Sequence, residues 1–425
     1  MEKYIIRGGR RLEGSVRVSG AKNAVLPVMA AALMAPGVSV LHRVPRIIDV
    51  ETMMQLLSAL GAKVSWAGPD TLEITPGCDL GWEAPDALIR EMRASIQVLG
   101  PLLARLGRVK VFQPGGCAIG PRPIDFHIRG MEALGARQVG EGGCIVMEAD
   151  RLRGAEIMLD LPSVGATENI MCAATLAQGT TVIRNAAREP EIVELQTFLN
   201  QMGAQVRGAG TDVIRVHGVN ELHGAEYTVI PDRIEAGTFM VAAAITGGEV
   251  LVDDLIVDHQ EAVIAKLLEA GIEVQRYEKA IRVAGRRPWR AFALRSQPYP
   301  GFPTDMQPQM MALAALAQGV SIITETVYSN RFKHADELMR MGAQIRLEGR
   351  CAIVTGVKAL HGAVVNATDL RAGAGMVLAG LAAEGITRIE EIQRIERGYE
   401  DLAGKLAGLG AEISRDSTLS GLPML

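Results

Sequence analysis

Aromatic side chains are scarce in this sequence, and positive charge is not in excess. Phe, Trp and Tyr make up only 4% of the 425 residues, and the net charge is −4. Proteins that bind nucleic acid usually carry a basic surface, and those that hold single strands often stack the bases on aromatic rings. We therefore expect no nucleic-acid partner.

Paired cysteines and long apolar runs are also missing. The five cysteines are scattered and none forms a C-x-x-C pair, which argues against a disulfide framework or a zinc site. No secretory segment follows Met1, and the uncharged stretch 24–41 is interrupted by Pro27, Pro36 and Gly37. These features predict a soluble protein of the reducing cytoplasm, with no membrane partner.

One pattern recurs six times, at intervals of 68 to 74 residues. A helix ends at a glycine, a short β-branched run follows, and a second, Ala-rich helix with few charges lies upstream. The six glycines are Gly61, Gly135, Gly203, Gly271, Gly342 and Gly410. Glycine at this place is typical of a left-handed helix cap. Each repeat is an α/β unit of the order strand–helix–strand–helix–strand–strand, with the Ala-rich helix expected to be buried.

Six such repeats could form a solenoid, a ring or two domains of three. A solenoid needs capping repeats at its ends, and none is evident. Two domains of about 200 residues fit the usual domain size, with a boundary near residues 220–232. The N-terminal strands expected at 4–6 and 15–18 could complete either domain.

Charged residues recur in two classes of loop. The loops that lead into the Ala-rich helices contain Lys22, Asn23, Arg93, Asp232, Arg233, Asp305, Asp369 and Arg371, and the corresponding loop of the third repeat is Ser163-Val164-Gly165. The loops that follow the central strands contain Arg46, Arg122, Arg188, His259, Arg331 and Arg397. Cations at helix N-termini favour a small anionic ligand such as a phosphorylated compound. The alternative is that these residues are solvated loop charges and helix caps, a role that suits Asp305 and Asp369.

The segment 113–127 is unusually rich in glycine and proline. Cys117 follows two glycines there, which predicts an exposed, mobile loop. Arg122 lies five residues later and could stabilise a thiolate or bind an anion. In contrast, Cys78, Cys172 and Cys351 suit a buried, inert role.

Nine motifs, in order along the chain, resemble those of the UDP-N-acetylglucosamine enolpyruvyl transferases. They include SGAKNAVLP (19–27), PGGCAIGPRPID (114–125), FPTDMQ (302–307) and ATDLRA (367–372). The resemblance covers essentially the whole chain. It implies the two-domain enolpyruvyl transferase fold, an inside-out α/β barrel with six βαβαββ repeats, three in each domain. It assigns 22–230 to the domain with the mobile cysteine loop and 1–21 plus 231–425 to the second, with the active site in the cleft between them.

The same resemblance implies roles for individual residues. Those that contact phosphoenolpyruvate or its phosphate are Lys22, Asn23, Arg93, Arg122 and Arg397. Those that contact the nucleotide sugar are Arg93, Arg122, Pro123, Ile124, Asp125 and Phe126, with Ser163, Val164 and Gly165 against the diphosphate and Asp305 and Val327 against the sugar. Further cleft residues are Arg331, Asp369 and Arg371. Cys117 matches the cysteine that forms adducts with phosphoenolpyruvate.

The implied reaction transfers the enolpyruvyl group of phosphoenolpyruvate to the 3′-hydroxyl of UDP-N-acetylglucosamine and releases phosphate, the first committed step of peptidoglycan synthesis. Such an addition and elimination needs an acid, a base and cations around the carboxylate and phosphate. Cys117 is the expected acid and Asp305 the base, while Lys22, Arg122 and Arg397 bind the donor. No metal or cofactor is required, and we expect a monomer or weak oligomer.

Two other functions stay open. An enolpyruvyl-shikimate-phosphate synthase shares the fold and the donor, but its acceptor is small and it lacks the PGGCAIGPRP loop. A catalytically inactive sensor of sugar nucleotides would share the binding residues. The presence of every candidate catalytic residue disfavours the sensor.

Overall fold

The computed structural model describes residues 2–113, 115, 124–139 and 143–416. Within these residues the chain divides into two compact units. Unit 1 contains residues 2–19 and 231–416, and unit 2 contains residues 20–230. Each unit has its own hydrophobic core.

The first half of the chain supplies two strands of unit 1 and all of unit 2. The strands of unit 1 are β1 (Lys3–Arg7) and β2 (Glu13–Arg17). The helices of unit 2 are α1 (Lys22–Ala31), α2 (Ile48–Ala59), α3 (Asp86–Glu91), α4 (Leu99–Leu106), α5 (Asp125–Ala133), α6 (Val164–Thr175) and α7 (Pro190–Gln201). Its strands are β3 (Ser39–His42), β4 (Ala62–Trp66), β5 (Leu72–Pro76), β6 (Arg108–Phe112), β7 (Arg137–Gln138), β8 (Cys144–Glu148), β9 (Glu156–Met158), β10 (Thr180–Arg184), β11 (Gln205–Arg207), β12 (Val213–His217) and β13 (Glu226–Thr228).

The second half of the chain completes unit 1. Its helices are α8 (Arg233–Thr246), α9 (Glu261–Glu269), α10 (Gln307–Ala314), α11 (His334–Arg340), α12 (Leu370–Ala382), α13 (Gln393–Glu396) and α14 (Leu402–Gly408). Its strands are β14 (Glu249–Asp253), β15 (Glu273–Arg276), β16 (Ala280–Ala284), β17 (Ala293–Arg295), β18 (Val320–Thr324), β19 (Gln344–Glu348), β20 (Cys351–Thr355), β21 (Val364–Asn366), β22 (Ile386–Glu390) and β23 (Glu412–Asp416). Short 3₁₀ turns lie at Ala32–Met34, Arg93–Val98, Val257–Gln260 and Thr304–Met306.

The sheets repeat one arrangement, as the six-fold sequence pattern predicts. In unit 2 the strand orders are β13-β3-β5-β4, β6-β8-β7 and β11-β12-β10-β9, and in unit 1 they are β21-β22-β1-β23, β15-β16-β14-β2 and β17-β18-β20-β19. Each four-stranded sheet joins one parallel pair to antiparallel neighbours. In the three-stranded sheet, a parallel bridge between Glu83 and Lys110 takes the place of the fourth strand. Strand β1 pairs with β22 and β23, and β2 pairs with β14, so both N-terminal strands belong to unit 1. The sequence alone left their domain open.

The Ala-rich helices lie in the cores, as expected from their small number of charged residues. In α1 every residue from Ala24 to Ala31 is buried, and α8 and α12 are buried over most of their length. Small residues allow close approach of these helices: a Cβ on Gly100 of α4 would lie 2.2 Å from the Asn169 carbonyl oxygen of α6. The six glycines that end the more polar helices all have positive φ, between 85° and 100°, so their predicted left-handed conformation is confirmed. Among the described helices, none is both long enough and apolar enough to cross a membrane.

A buried carboxylate fastens the end of unit 2 where the chain leaves it. Glu194 of α7 accepts hydrogen bonds from the Ile230 amide at 3.0 Å and the Tyr227 hydroxyl at 2.8 Å. Burial raises the pKa of Glu194 from 4.5 to about 7. The folded protein therefore binds a proton that the unfolded chain has already lost at intermediate pH.

This carboxylate predicts a pH-dependent loss of stability. Between pH 4.5 and 7 the folded state holds more protons than the unfolded state, so the free energy of unfolding should fall as pH rises. In Glu194→Gln the free energy of unfolding should fall less over this pH range, by an amount on the order of 3 kcal/mol. Denaturant unfolding at pH 5 and pH 8 measures the difference, with the exposed Glu221→Gln as control. Equal pH slopes for the parent and Glu194→Gln would contradict the prediction.

Candidate functional site

Lys22 lies at the first position of α1 and is held by an aspartate. Its ammonium group is 2.9 Å from Asp49 Oδ2 of α2, and the Asp49 side chain is buried. Helix α1 begins without a side-chain cap, so its N-terminal end offers its backbone dipole beside the Lys22 charge. Asn23 follows Lys22 in the same half-buried turn. The arrangement is suited to an anion.

Three candidate segments of unit 2 meet on one buried polar network. The 3₁₀ turn that begins at Arg93 supplies Gln97, α5 supplies His127, and α6 supplies Asn169. The Asn169 side-chain amide donates to His127 Nδ1 at 2.9 Å and lies 3.1 Å from Gln97 Oε1. Burial, and then the charge of Arg93, lowers the pKa of His127 to about 3, so its ring is neutral and can accept.

The network fixes the loops above it. Ile124 precedes α5, and Asp125 and Phe126 form its first turn. Ser163 caps α6, its hydroxyl accepting the Ala166 amide at 3.4 Å, and Val164 and Gly165 open that helix. A Cβ on Gly165 would lie 3.2 Å from His127 Cε1, so the start of α6 rests directly on the imidazole. The structure thus brings together Arg93, Ile124–Phe126 and Ser163–Gly165.

Glu168 is a member of this network that sequence reasoning missed. It lies fully buried on α6 and accepts a hydrogen bond from Gln97 Nε2. Burial, followed by the charges of Glu191 and Glu189, raises its pKa well above the ordinary value. The signal in the sequence was the polar pair Glu168-Asn169 inside an otherwise apolar helix.

In unit 1, Asp305 lies between two buried guanidinium groups. Its Oδ1 is 3.1 Å from Arg331 Nη2 and its Oδ2 is 3.2 Å from Arg371 Nε. Both arginine side chains are only 2% exposed, whereas that of Asp305 is 26% exposed. Each arginine also lies over an aromatic ring, Arg331 over Tyr328 and Arg371 over Tyr399. The carboxylate is therefore fixed in orientation and still reachable from solvent.

The two aspartates that could have been helix caps differ. Asp369 is a cap: its Oδ1 accepts the backbone amides of Arg371 at 2.9 Å and Ala372 at 3.0 Å. Asp305 makes no such bond in its 3₁₀ turn, where Pro303 occupies the cap position. Its charge is matched by Arg331 and Arg371 instead.

Glu325 is a second residue that the sequence did not point to. This buried carboxylate accepts hydrogen bonds from the hydroxyls of Ser296 and Thr304, at 2.6 and 2.8 Å, and from the Val327 amide at 2.8 Å. It thereby links the turn that carries Asp305 to the loop that carries Val327 and leads to Arg331. Arg397 is half-buried directly after α13, two residues before Tyr399.

Some predicted residues lie outside the described part of the chain, namely Cys117, Arg122 and Pro123. Among the other cysteines, the buried role predicted for Cys172 is confirmed. For Cys78 it is wrong, because Pro76 ends β5 and the thiol lies in the exposed turn that follows. Cys351 is half-buried. In the described residues, no three His, Cys, Asp or Glu side chains come together as a metal site.

The buried network predicts a stability cost at Asn169. Asn169→Ala leaves the Gly100 amide and the Ile96 carbonyl without their side-chain partner, and an unsatisfied buried group costs about 1–3 kcal/mol. The free energy of unfolding from denaturant titration should fall by at least that amount. The exposed Asn220→Ala is the matched control and should change stability by less than about 0.5 kcal/mol. A stable Asn169→Ala protein would mean that the network does not support these loops.

Comparison with known proteins places the chain among carboxyvinyl-transferring enzymes. The family described as EPSP synthase (3-phosphoshikimate 1-carboxyvinyltransferase) matches residues 6–406. The chain is 59% identical over 420 residues to UDP-N-acetylglucosamine 1-carboxyvinyltransferase 1 of Symbiobacterium thermophilum, covering 97% of this chain and 95% of the relative. It is 55% identical over 419 residues to UDP-N-acetylglucosamine 1-carboxyvinyltransferase 2 of Carboxydothermus hydrogenoformans, covering 98% of this chain and 100% of the relative.

Solved structures agree on the fold. The enolpyruvyl transferase NikO of Streptomyces tendae superposes with a TM-score of 0.88 at 26% identity, over 97% of this chain and 98% of that one. An EPSP synthase of Acinetobacter baumannii superposes with a TM-score of 0.75 at 20% identity, over 98% of this chain and 100% of that one. The predicted two-domain enolpyruvyl transferase fold, with three repeats in each domain, is confirmed.

Proposed function

We propose that the chain transfers the enolpyruvyl group of phosphoenolpyruvate to the 3′-hydroxyl of UDP-N-acetylglucosamine and releases phosphate. The reason is that it belongs to the EPSP synthase family and, within that family, to the UDP-N-acetylglucosamine 1-carboxyvinyltransferases. The observation that carries the proposal is the 59% identity over 97% of the chain with a relative of that name. The reaction would be the first committed step of peptidoglycan synthesis.

The chemistry proceeds in two steps. In the addition, the sugar hydroxyl oxygen forms a bond to C2 of the donor, C3 gains a proton and the hydroxyl loses one. In the elimination, the bond from C2 to the phosphate oxygen breaks and C3 loses a proton, which restores the double bond. We assign Cys117 as the acid at C3 and Asp305 as the base for the hydroxyl.

The surroundings of Asp305 support this assignment. Arg331 and Arg371 each engage one carboxylate oxygen, which fixes the orientation of the group. The partial exposure of Asp305 lets a substrate hydroxyl approach. Glu325 adds rigidity, since it ties the Asp305 turn to the loop of Val327, which we assign to the sugar.

Donor binding is assigned to cations. Lys22, with Asn23 at the uncapped start of α1, is suited to the phosphate, and Asp49 holds its ammonium group in place. Arg93, Arg122 and Arg397 complete the donor contacts. For the nucleotide sugar we propose the residues Arg93, Arg122, Pro123, Ile124, Asp125, Phe126, Ser163, Val164, Gly165, Asp305, Val327, Arg331, Asp369 and Arg371.

The proposal extends to the state of the protein. We propose that one domain spans residues 22–230 and the other residues 1–21 and 231–425. We also propose that the protein is a monomer or a weak oligomer. Cytoplasmic location is supported by the scattered cysteines, which suit a reducing compartment.

A phosphate-release assay tests the function. The chain should release phosphate from phosphoenolpyruvate with UDP-N-acetylglucosamine and not with shikimate 3-phosphate. Turnover with shikimate 3-phosphate alone would make the chain an EPSP synthase. Binding of UDP-N-acetylglucosamine without any phosphate release would make it a sensor.

Asp305→Asn tests the proposed base. The change keeps the shape but removes the negative charge, so turnover should fall by about 10²–10⁴-fold while UDP-N-acetylglucosamine still binds in calorimetry. The exposed Asp336→Asn is the control and should keep its turnover. Circular dichroism is needed for both, because the substitution also removes the partner of two buried guanidinium groups. Normal turnover of folded Asp305→Asn would refute the assignment.

Cys117 can be tested by alkylation with the phosphonate epoxide fosfomycin. A thiolate near Arg122 is expected to react faster than an ordinary thiol, and the nucleotide sugar should speed the reaction. Peptide mass spectrometry should find one adduct, on the peptide that contains Cys117, and none in Cys117→Ser. The exposed Cys78 is the natural competitor, so Cys78→Ser should react like the parent. Adducts on Cys78 as abundant as on Cys117 would contradict the prediction.

A further inference from the structure

A cavity of about 930 Å³ opens on unit 1, and none of the residues assigned to the substrates is among those that line it. It is lined by the C-terminal ends of the buried helices α8 and α12, at Thr246 and Ala382. Three other segments also line it, namely 8–11 with Glu13, 284–287 and 358–359. The cavity lies wholly within one unit.

The charged side chains around this cavity are mostly positive. The lining cations are Arg10, Arg11, Arg286, Arg287 and Lys358, and the lining carboxylates are Glu13, Glu249 and Glu384. Two of these carboxylates contact side chains outside the cavity: Glu249 pairs with Arg282 at 2.7 Å, and Glu384 lies 3.8 Å from the His361 imidazole.

The exposed cations Arg11, Arg286 and Lys358 have no ion pair or side-chain hydrogen bond within the described residues. Arg10, in contrast, pairs with Glu412 outside the cavity at 2.8 Å. The excess positive charge is therefore local, in a chain whose net charge is −4.

Helix ends account for only one of these cations. The C-terminal end of a helix carries partial negative charge and attracts cations. Arg287 serves this purpose, since its Nη2 donates to the Ile245 carbonyl oxygen at 3.3 Å. Arg105 does the same in unit 2 at the carbonyl oxygen of Leu33, in the 3₁₀ turn that follows α1. It also donates to the carbonyl oxygen of Gly77 and lines a smaller cavity of about 320 Å³. No such carbonyl contact engages Arg11, Arg286 or Lys358 in the described structure.

We propose that this cavity binds an oligophosphate anion. A guanidinium group can donate two parallel hydrogen bonds to phosphate oxygens. Cations on three separate segments suit several linked phosphates better than a single phosphate. Among the described residues no aromatic side chain lines the cavity, so a nucleoside base would gain no stacking partner from them. The recognised chemistry is the phosphate chain itself, whether free or attached to a nucleoside.

Isothermal titration of the full chain with tripolyphosphate tests the site. The triple variant Arg11→Glu, Arg286→Glu, Lys358→Glu should weaken binding at least tenfold. The charge-preserving variant Arg11→Lys, Arg286→Lys, Lys358→Arg should stay within threefold of the parent. All three positions are exposed, and circular dichroism checks that the variants fold.

Two controls separate this cavity from other cationic places. Arg151→Glu, at the smaller cavity of unit 2, makes the same charge change elsewhere and should leave binding unaltered. Arg397→Glu alters the proposed donor site and should also leave tripolyphosphate binding at the cavity intact. ATP without metal should bind within threefold of tripolyphosphate if the phosphates alone are recognised.

Several results would overturn the proposal. They are an absence of tripolyphosphate binding by the parent, unchanged binding by the Arg11, Arg286, Lys358 charge-reversal variant, and loss of binding in Arg397→Glu alone. ATP binding more than tenfold tighter than tripolyphosphate would refute recognition through the phosphates alone. None of these results depends on whether the chain transfers an enolpyruvyl group.

Discussion

The burial of one Ala-rich helix in each repeat is the constraint on which the rest of this structure depends. A helix with sheets or other helices on most sides can present polar groups to solvent only at its ends. In unit 2 the start of α1 carries Lys22, and in unit 1 the start of α12 carries Asp369 and Arg371. These charged candidate residues lie at helix ends because the middle of each buried helix is enclosed by the core.

Two groups of polar side chains that enter the cores are matched to one another. Asn169 on α6 supplies the Gly100 amide of α4 with an acceptor and the neutral His127 ring with a donor. Glu325 similarly collects donors from Ser296, Thr304 and Val327. Such groups are costly unless every partner is present, so they fix one arrangement of the loops they support.

The repeat architecture could be predicted from the sequence because it depends on local chemistry. Left-handed glycine caps and helices with few charges recur in each copy, and both signals are readable without a partner. The assignment of β1 and β2 was not readable, because their partners β14, β22 and β23 lie more than 200 residues away. Equivalent loops of the repeats pointed to charged candidate residues, and the family resemblance gave each of them an expected role.

Within the site, the sequence pointed to charged residues at loops but not to what holds them. Asp49 and Glu325 were missed because an acid in a sequence gives no sign of burial until its donors are known. Asp305 and Asp369 looked equivalent as residues before helices. The positions of Arg331 and Arg371, distant in sequence, show that Asp305 is an ion-paired carboxylate, whereas Asp369 is a helix cap.

The chain enters unit 2 after residue 19 and returns to unit 1 at residue 231, which bears on how the protein is made. A ribosome releases the polypeptide from the N-terminus, so all of unit 2 emerges before β14, the partner of β2, has been synthesised. The partners of β1 are synthesised later still, since β22 spans Ile386–Glu390 and β23 ends at Asp416. During synthesis the first nineteen residues thus lack their strand partners, while the domain that follows them can already be folded. Unit 1 is completed only when the chain is almost fully synthesised.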